Sequence, residues 1–116
     1  MNIRRDTILP EGIDREALCN VSGLAMIRTI FKYHNMQWKD IAVRCRKREL
    51  VDVRHIVNYF LTVKKEFSLQ YIASIFETDH CVVINSRKQV ESWITTDKSF
   101  KEKIIDIATL IINSTK

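Results

Sequence analysis

Glycine and proline are scarce in this chain, with two glycines and one proline among 116 residues. Tight hairpin turns depend on such residues, so an all-β sandwich with many short strands is excluded. At this length we expect one domain with one core. No apolar run approaches the roughly 18 residues of a membrane span, and the basic N-terminus lacks the apolar stretch of a secretory signal.

Cysteine is also sparse, with three residues in odd number and no pair at CxxC spacing. This pattern excludes a disulfide scaffold and a zinc finger and predicts a reducing, cytoplasmic location. No Gly-x-x-x-x-Gly-Lys-Ser/Thr loop is present, so we expect no nucleotide. No metal-ligand spacing is present either, and we expect no cofactor and no metal. Neighbouring residues on a helix diverge by about 100°, so His80 and Cys81 are not expected to pair as base and nucleophile. We therefore do not expect an enzyme.

Positive charge is concentrated in one segment of the chain, which carries a formal net charge of +5. Residues 44–66 hold seven Lys and Arg against three acids, whereas residues 1–43 hold six against five and residues 67–116 hold six against six. Such a focus on an otherwise balanced domain is typical of nucleic-acid binding. A solvated helix face with a clustered positive end is the alternative.

Most of the remaining sequence shows the period of about 3.6 residues that is typical of amphipathic helices. Residues 1–12 are expected to form an irregular arm, and residues 13–116 a single all-α domain of about six helices. The pattern predicts helices over 14–34, 38–43, 50–65, 69–76 and 80–94 and a last helix after Asp97, with a polar connection over 44–49. The expected helix N-caps are Asp14, Ser68, Asp79 and Asp97. The expected core face of the first helix is Leu18, Val21, Leu24, Ala25, Ile27, Ile30 and Phe31. The expected core faces of the later helices are Val53, Ile56, Val57, Phe60 and Leu61 over 50–65, with Asn58 on another face, then Val83, Val90 and Ile94 over 80–94, and Phe100, Ile104, Ile107 and Ile111 after Asp97.

A short helix, a tight turn and a longer helix between residues 68 and 94 predict a helix-turn-helix. In such a unit the first helix braces the second, which places its N-terminal turn in the major groove of DNA. The exposed stripe of the second helix would present His80, Cys81, Asn85, Lys88 and Gln89. Because any two antiparallel helices can produce this pattern, the basic segment just upstream strengthens the interpretation.

The order of these parts resembles the C-terminal DNA-binding domain of the bacterial replication initiator DnaA, from about residue 24 to residue 110. The matching segments are Arg46-Lys47-Arg48-Glu49 for the basic loop, Arg54-His55 on the long helix, Ser68-Leu69-Gln70-Tyr71-Ile72 with Phe76 on the first motif helix, and Asp79-His80-Cys81-Val82-Val83 at the family's Asp-His-Thr signature. The resemblance implies a Trp-repressor-like helix-turn-helix bundle that binds double-stranded DNA.

The resemblance also implies individual DNA contacts. An arginine of the basic loop, matched by Arg46, would enter the minor groove. Arg54 matches a DNA-contacting arginine, and His55 replaces the glutamine beside it. Cys81 replaces a threonine and could contact a thymine methyl group. The full implied set is Arg46, Lys47, Arg48, Arg54, His55, Thr78, Asp79, His80, Cys81, Asn85 and Lys88.

Three departures from the family pattern bear on function. Glu77-Thr78 is one residue shorter than the family's Gly-Gly-Arg turn, and Asp52 occupies a position that is often basic. The nucleotide-binding domain of a full initiator is absent, so we do not expect ATPase activity. The leading hypothesis is sequence-specific DNA binding in bacterial replication initiation or transcription regulation. The alternative is a protein-interaction module or homodimer that uses the C-terminal helix, where Ile105, Ala108 and Ile112 flank the main apolar stripe.

Overall fold

The computed structural model of the chain describes residues 7–37, 48–64 and 66–114. These residues form α-helices and contain no strand, which confirms the all-α class over this part. None of the helices found there has the length and hydropathy of a membrane span. The helices are α1 (Arg15–Cys19), α2 (Gly23–Tyr33), α3 (Arg48–Val63), α4 (Leu69–Ile75), α5 (His80–Thr96) and α6 (Lys98–Asn113). The predicted helix 38–43, Arg46 and Lys47 lie outside the described residues.

The single helix predicted over residues 14–34 is wrong, because the chain forms two helices there. Asp14 caps α1 as expected, by accepting a hydrogen bond from the Ala17 N–H. A second cap, Ser22, starts α2 by accepting from the Ala25 N–H. Between the two helices, the Lys64 ammonium donates to the carbonyl oxygens of Cys19 and Val21, both at 2.6 Å. These long-range bonds satisfy carbonyl groups that a continuous helix would have satisfied itself.

The break also changes which residues of α2 face the core. Leu24 is 59% exposed, contrary to the prediction, whereas Met26, Ile30 and Phe31 are buried. Since α2 is a separate helix with its own axis, the apolar stripe of α1 does not continue along it. Gly23 lies at its start, where an added Cβ would come within 2.9 Å of the Phe67 ring. The lack of a side chain therefore lets Phe67 pack closely against this turn.

The central helix is α3, which packs against α2, α4 and α5. Its predicted core face is confirmed, since all five apolar members are buried: Val53, Ile56, Val57, Phe60 and Leu61. It begins at Arg48, two residues before the predicted start, so Arg48 belongs to the helix and not to the polar connection. Asn58, which we placed on another face, is also buried.

The predicted helix-turn-helix is present as α4, a turn and α5. Ser68 caps α4 by accepting from the Tyr71 N–H at 3.0 Å. In the turn, Glu77 has a φ of 55°, in the left-handed region, and the next N–H, from Thr78, donates to the Ala73 carbonyl at 2.9 Å. This bond closes the end of α4 without the glycine that usually occupies such a position. Asp79 has the extended backbone of an N-cap but makes no capping side-chain bond.

The last helix follows α5 directly, and its predicted cap is confirmed. The Asp97 carboxylate accepts from the Phe100 N–H at 3.2 Å, and α5 runs to Thr96, two residues beyond the predicted end. On α6, Ile104, Ile107 and Ile111 are buried as expected. Ala108 is buried as well, so it does not belong to an outward surface. The surface of α6 that was predicted to meet a protein partner is therefore reduced by Ala108.

The N-terminal segment from residue 7 up to α1 has no helix or strand and is docked on the bundle. Thr7 is buried, and its hydroxyl lies 2.9 Å from the Thr62 hydroxyl on α3. The Ile8 N–H donates to the Glu91 carboxylate on α5 at 2.8 Å. The Tyr59 hydroxyl on α3 donates to the Ile8 carbonyl. The arm therefore ties α3 and α5 together across their shared surface.

Candidate nucleic-acid interface

The burial pattern of α5 fixes which of its faces meets solvent. Val83 and Val90 are fully buried and Ile94 nearly so, which confirms the predicted core face. The opposite stripe is exposed and consists of Cys81, Asn85, Lys88 and Gln89. His80 and the preceding turn residues Glu77, Thr78 and Asp79 are exposed too. The residues that the sequence predicts on this helix therefore lie together on one accessible surface around its N-terminal turns.

A polar contact between α3 and α5 holds this helix in place. The Ser86 hydroxyl is completely buried, accepts from the Asn58 side-chain amide at 3.1 Å and lies 2.7 Å from His55 Nδ1. The Ser86 hydroxyl can donate its one hydrogen to an unprotonated Nδ1, or it can accept from a protonated Nδ1, so the tautomer of His55 sets the direction of this bond.

The His55 ring is half-buried between the two helices. It makes an edge contact with Trp93 of α5, with 5.9 Å between ring centroids, and Trp93 makes a similar contact with Phe100 of α6. Burial lowers the pKa of His55 below its usual value of 6.5, and the Asp52 carboxylate acts in the opposite direction. The predicted DNA contact by His55 is thus confined to the part of the ring that Ser86 and Trp93 leave accessible.

The face of α5 that meets the bundle also buries polar side chains, which the sequence pattern does not predict there. Ser86, Arg87 and Glu91 are all buried, and Glu91 holds the backbone of the arm. Because these residues are polar, they interrupt the apolar pattern from which the core face is predicted. One signal could have located Arg87, since it lies four residues after Val83 and three before Val90, on the core face itself.

The basic segment contributes less outward charge than its composition indicates. Lys64 is buried, donates to the end of α1 and lies 3.0 Å from the Glu66 carboxylate. It is therefore a structural residue of the bundle. Arg54 lies on α3 and is half-buried. Arg46 and Lys47, two further predicted contacts of this segment, lie outside the described residues.

Asp52, one of the departures from the family pattern, lies beside positive groups. Together with His34, Met36 and Lys103 it lines an open cavity of about 340 Å³. Burial lowers the pKa of Lys103, and the Asp52 charge partly offsets that effect. The negative charge at position 52 is therefore partly balanced by α6.

The expectation that His80 and Cys81 diverge is wrong. The Cys81 sulfur lies 3.8 Å from His80 Nε2, because both side chains are exposed at the start of α5 and can bend toward each other. In the described part of the chain, no group of three or more His, Cys, Asp or Glu residues could hold a metal ion.

Comparison with known proteins agrees with this arrangement. The family model described as the bacterial dnaA protein helix-turn-helix matches residues 25–90, from the start of α2 into α5. Curated relatives named chromosomal replication initiator protein DnaA include one from Mycoplasma genitalium, 30% identical over 82 residues, which are 71% of this chain and 19% of the relative. One from Bacteroides thetaiotaomicron is 29% identical over 87 residues, 74% of this chain and 18% of the relative.

A third relative, DnaA 1 of Chlamydia pneumoniae, is 28% identical over 88 residues, which are 76% of this chain and 19% of the relative. The match to these proteins spans about a fifth of their length. The family match covers more than half of this chain and includes the whole helix-turn-helix turn. The chain therefore belongs to the family of bacterial DnaA helix-turn-helix domains, and membership of this family implies DNA binding.

Proposed function

We propose that this protein binds double-stranded DNA with sequence specificity through the helix-turn-helix formed by α4 and α5, without hydrolysing ATP. The observation that carries the proposal is the division of α5 into a buried face and an exposed stripe at its N-terminal turns. A recognition helix needs this division, since one face must be held by the bundle while the other reaches base edges. The relatives' name, chromosomal replication initiator protein, supports a role in replication initiation.

The proposed base contacts come from the start of α5. Asp79 and His80 would face base edges in the major groove, and Asn85 could pair with adenine one turn further on. Cys81 offers an apolar contact. Thr78 and Lys88 would contact phosphates and so fix the register of the helix on the duplex.

The remaining proposed contacts come from α3 and the basic segment. Arg54 would reach phosphate or guanine, and Arg46, Lys47 and Arg48 would lie in the minor groove or on the backbone. His55 would act through Nε2, because Nδ1 lies 2.7 Å from Ser86. The absence of ATPase activity is proposed because the chain has only two glycines and no phosphate-binding loop motif.

The test is a selection from a randomised duplex library with the full chain, followed by anisotropy titrations of the enriched duplex and a scrambled duplex. We expect the enriched duplex to bind more tightly. If about five phosphates are neutralised, log K should fall with log salt at a slope near −5. Equal affinity for the two duplexes, or affinity that does not fall with salt, would contradict the proposal.

A matched pair of lysines sharpens this test. Lys88 lies on the exposed stripe of α5, and Lys98 is also exposed, at the start of α6. Lys88→Ala should weaken binding to all duplexes and reduce the salt slope by about one. Lys98→Ala removes the same charge elsewhere and should leave the slope unchanged. If both variants behave alike, the charge of the whole domain matters and the position on α5 does not.

A second candidate is a protein partner or a homodimer on α6, which is favoured by one observation. Leu110 of α6 is 46% exposed, and Leu24 of α2, which packs against α6, is 59% exposed. Sedimentation of the full chain at several concentrations tests self-association. A dimer that Leu110→Lys dissociates would support this candidate, whereas a monomer at all concentrations would contradict the homodimer.

A further inference from the structure

The open cavity beside Asp52 takes no part in the DNA contacts proposed above. Its volume is about 340 Å³, and the end of α2, the helix α3 and the helix α6 line it with His34, Met36, Asp52 and Lys103. The turn after α2 is closed by Asn35, which has a φ of 55°, and by the Met36 N–H, which donates to the Phe31 carbonyl at 2.9 Å. Sites for small molecules have volumes of about 300 to 1,000 Å³.

Two half-buried side chains of opposite charge line this cavity. Burial lowers the pKa of Lys103 and the Asp52 charge raises it, so the two groups are near enough to act on each other. No ion pair joins them in the part of the chain that the structure describes. A partly buried charge has lost some of its hydration, and it gains free energy when a ligand supplies the opposite charge.

The third polar group of the lining is the imidazole ring of His34. Its Nδ1 lies 2.8 Å from the Ile30 carbonyl oxygen, which can only accept, so Nδ1 carries the hydrogen. Burial lowers the pKa of His34, and the ring is therefore neutral near pH 7. The lone pair of the neutral ring is then on Nε2, a buried atom that has no hydrogen-bond partner among the described residues. Such an acceptor costs free energy until it meets a donor.

We propose that this cavity is a binding site for a free α-amino acid. The ammonium group of the zwitterion binds the Asp52 carboxylate and donates to His34 Nε2, and its carboxylate binds the Lys103 ammonium. Met36 offers an apolar surface to the rest of the ligand. A simple cation would leave Lys103 without a partner, and a simple anion would leave Asp52 without one, so a ligand with both charges suits the lining best. The inference does not depend on the proposed function.

The experiment titrates the full chain, in the absence of DNA, with each of the common amino acids and follows its NMR spectrum. We expect at least one amino acid to give saturable shifts at the signals of His34, Asp52 and Lys103. The ligand that binds most tightly is then compared with its N-acetyl derivative, which lacks the ammonium group, and with its amide, which lacks the carboxylate. Each derivative should bind about tenfold more weakly, because it loses a charge-assisted hydrogen bond.

Two variants of the lining assign the charges. Asp52→Asn should bind the amino acid about tenfold more weakly and should no longer distinguish it from the N-acetyl derivative. Lys103→Gln should do the same for the amide. Asp106→Asn and Lys98→Gln remove the same charges from exposed positions of α6 and should leave both affinities unchanged.

Circular dichroism melting establishes that each variant is folded. The absence of saturable shifts with every amino acid overturns the inference. Derivatives that bind as tightly as the parent amino acid, or lining variants that keep the wild-type affinity, also overturn it. All three results leave the proposed function intact, because that function is measured with DNA and these titrations contain none.

Discussion

Two faces of α5 use their polar residues in opposite ways. On the exposed stripe His80, Cys81 and Asn85 meet solvent, whereas on the face toward the bundle Arg87 and Glu91 are buried. Burying a polar group costs free energy unless it finds a partner. Glu91 meets this requirement by accepting the Ile8 N–H of the arm. The buried face is therefore an anchor, and the exposed stripe with its first turn is left free for a ligand.

This difference shows how the domain can hold α5 firmly and still leave the first turn of the helix accessible to a ligand. The anchor reaches α3 through Ser86 and His55, and it reaches the arm through Glu91. These contacts lie one or more turns away from the exposed start of the helix. Substitutions on the two faces should consequently affect different quantities, namely the free energy of unfolding at the anchor and the affinity for DNA at the exposed turn.

The largest expected effect compares two valines of this one helix. Val90 is fully buried and Val82 is 39% exposed. Val90→Ala should lower the free energy of unfolding by about 2–3 kcal/mol, because it removes buried methyl groups and leaves a cavity. Val82→Ala should change it by less than about 0.5 kcal/mol. Urea unfolding followed by circular dichroism measures both. Equal losses would remove the distinction between anchor and exposed turn.

The next effect concerns DNA affinity and uses the exposed turn alone. His80→Ala should cost about 1–2 kcal/mol of binding free energy on the enriched duplex, as expected for the loss of a base contact. Its free energy of unfolding should stay within about 0.5 kcal/mol of the wild type, because the side chain is exposed. Anisotropy titrations and urea unfolding of the same preparation measure the binding free energy and the free energy of unfolding separately. A variant that loses stability and affinity in parallel would show that the turn is part of the anchor.

The helix-turn-helix and the helix that follows it could be predicted from the sequence because their signals are local. Ser68 caps α4 and Asp97 caps α6, each through the N–H of a residue three positions later. The exposed stripe of α5 follows from the period of the helix. Neither feature depends on a contact with a distant part of the chain.

The features that escaped prediction depend on contacts between distant residues. The break between α1 and α2 is stabilised by Lys64, which is 45 residues from Cys19, and by Phe67 against Gly23. His55 meets Ser86 across 31 residues. Such pairs carry no periodic or capping signal. The composition of residues 44–66 likewise could not show that Lys64 points inward, so the predicted positive face was overestimated by at least this residue.

A third prediction removes one atom from the contact between the N-terminal arm and α3. Tyr59→Phe deletes the hydroxyl that donates to the Ile8 carbonyl, and it should lower the free energy of unfolding by about 1 kcal/mol. Hydrogen exchange of the Ile8 amide should accelerate, since the arm loses one of its bonds to α3. Tyr33→Phe, at an exposed position on α2, is the matched control and should have almost no effect. If the Ile8 amide exchanges at the wild-type rate, the arm is held mainly by Glu91 and Thr7.

The smallest expected effect is a pH dependence of the anchor. Burial lowers the pKa of His55 and of His34 below 6.5, the value expected in the unfolded chain. As the pH falls through 6.5, the unfolded state therefore takes up protons before the folded state does, and the free energy of unfolding decreases. The loss should continue down to the folded pKa values and then level off, with the stability full at higher pH. Both rings are only half-buried, so solvent screening keeps the change small.

His55→Gln isolates the part of the pH dependence that comes from the contact between His55 and α5. Glutamine can accept the Ser86 hydrogen but does not titrate, so the variant should lose less stability than the wild type between about pH 7 and pH 5. His34→Gln should remove a separate part, because His34 bonds to the Ile30 carbonyl on α2 and not to α5. Urea titrations at each pH provide the measurement. The contradicting outcome is that His55→Gln keeps the full wild-type pH dependence while His34→Gln abolishes it. In that case the titrating group lies at the end of α2. The contact between His55 and Ser86 then does not make the anchor of α5 sensitive to pH.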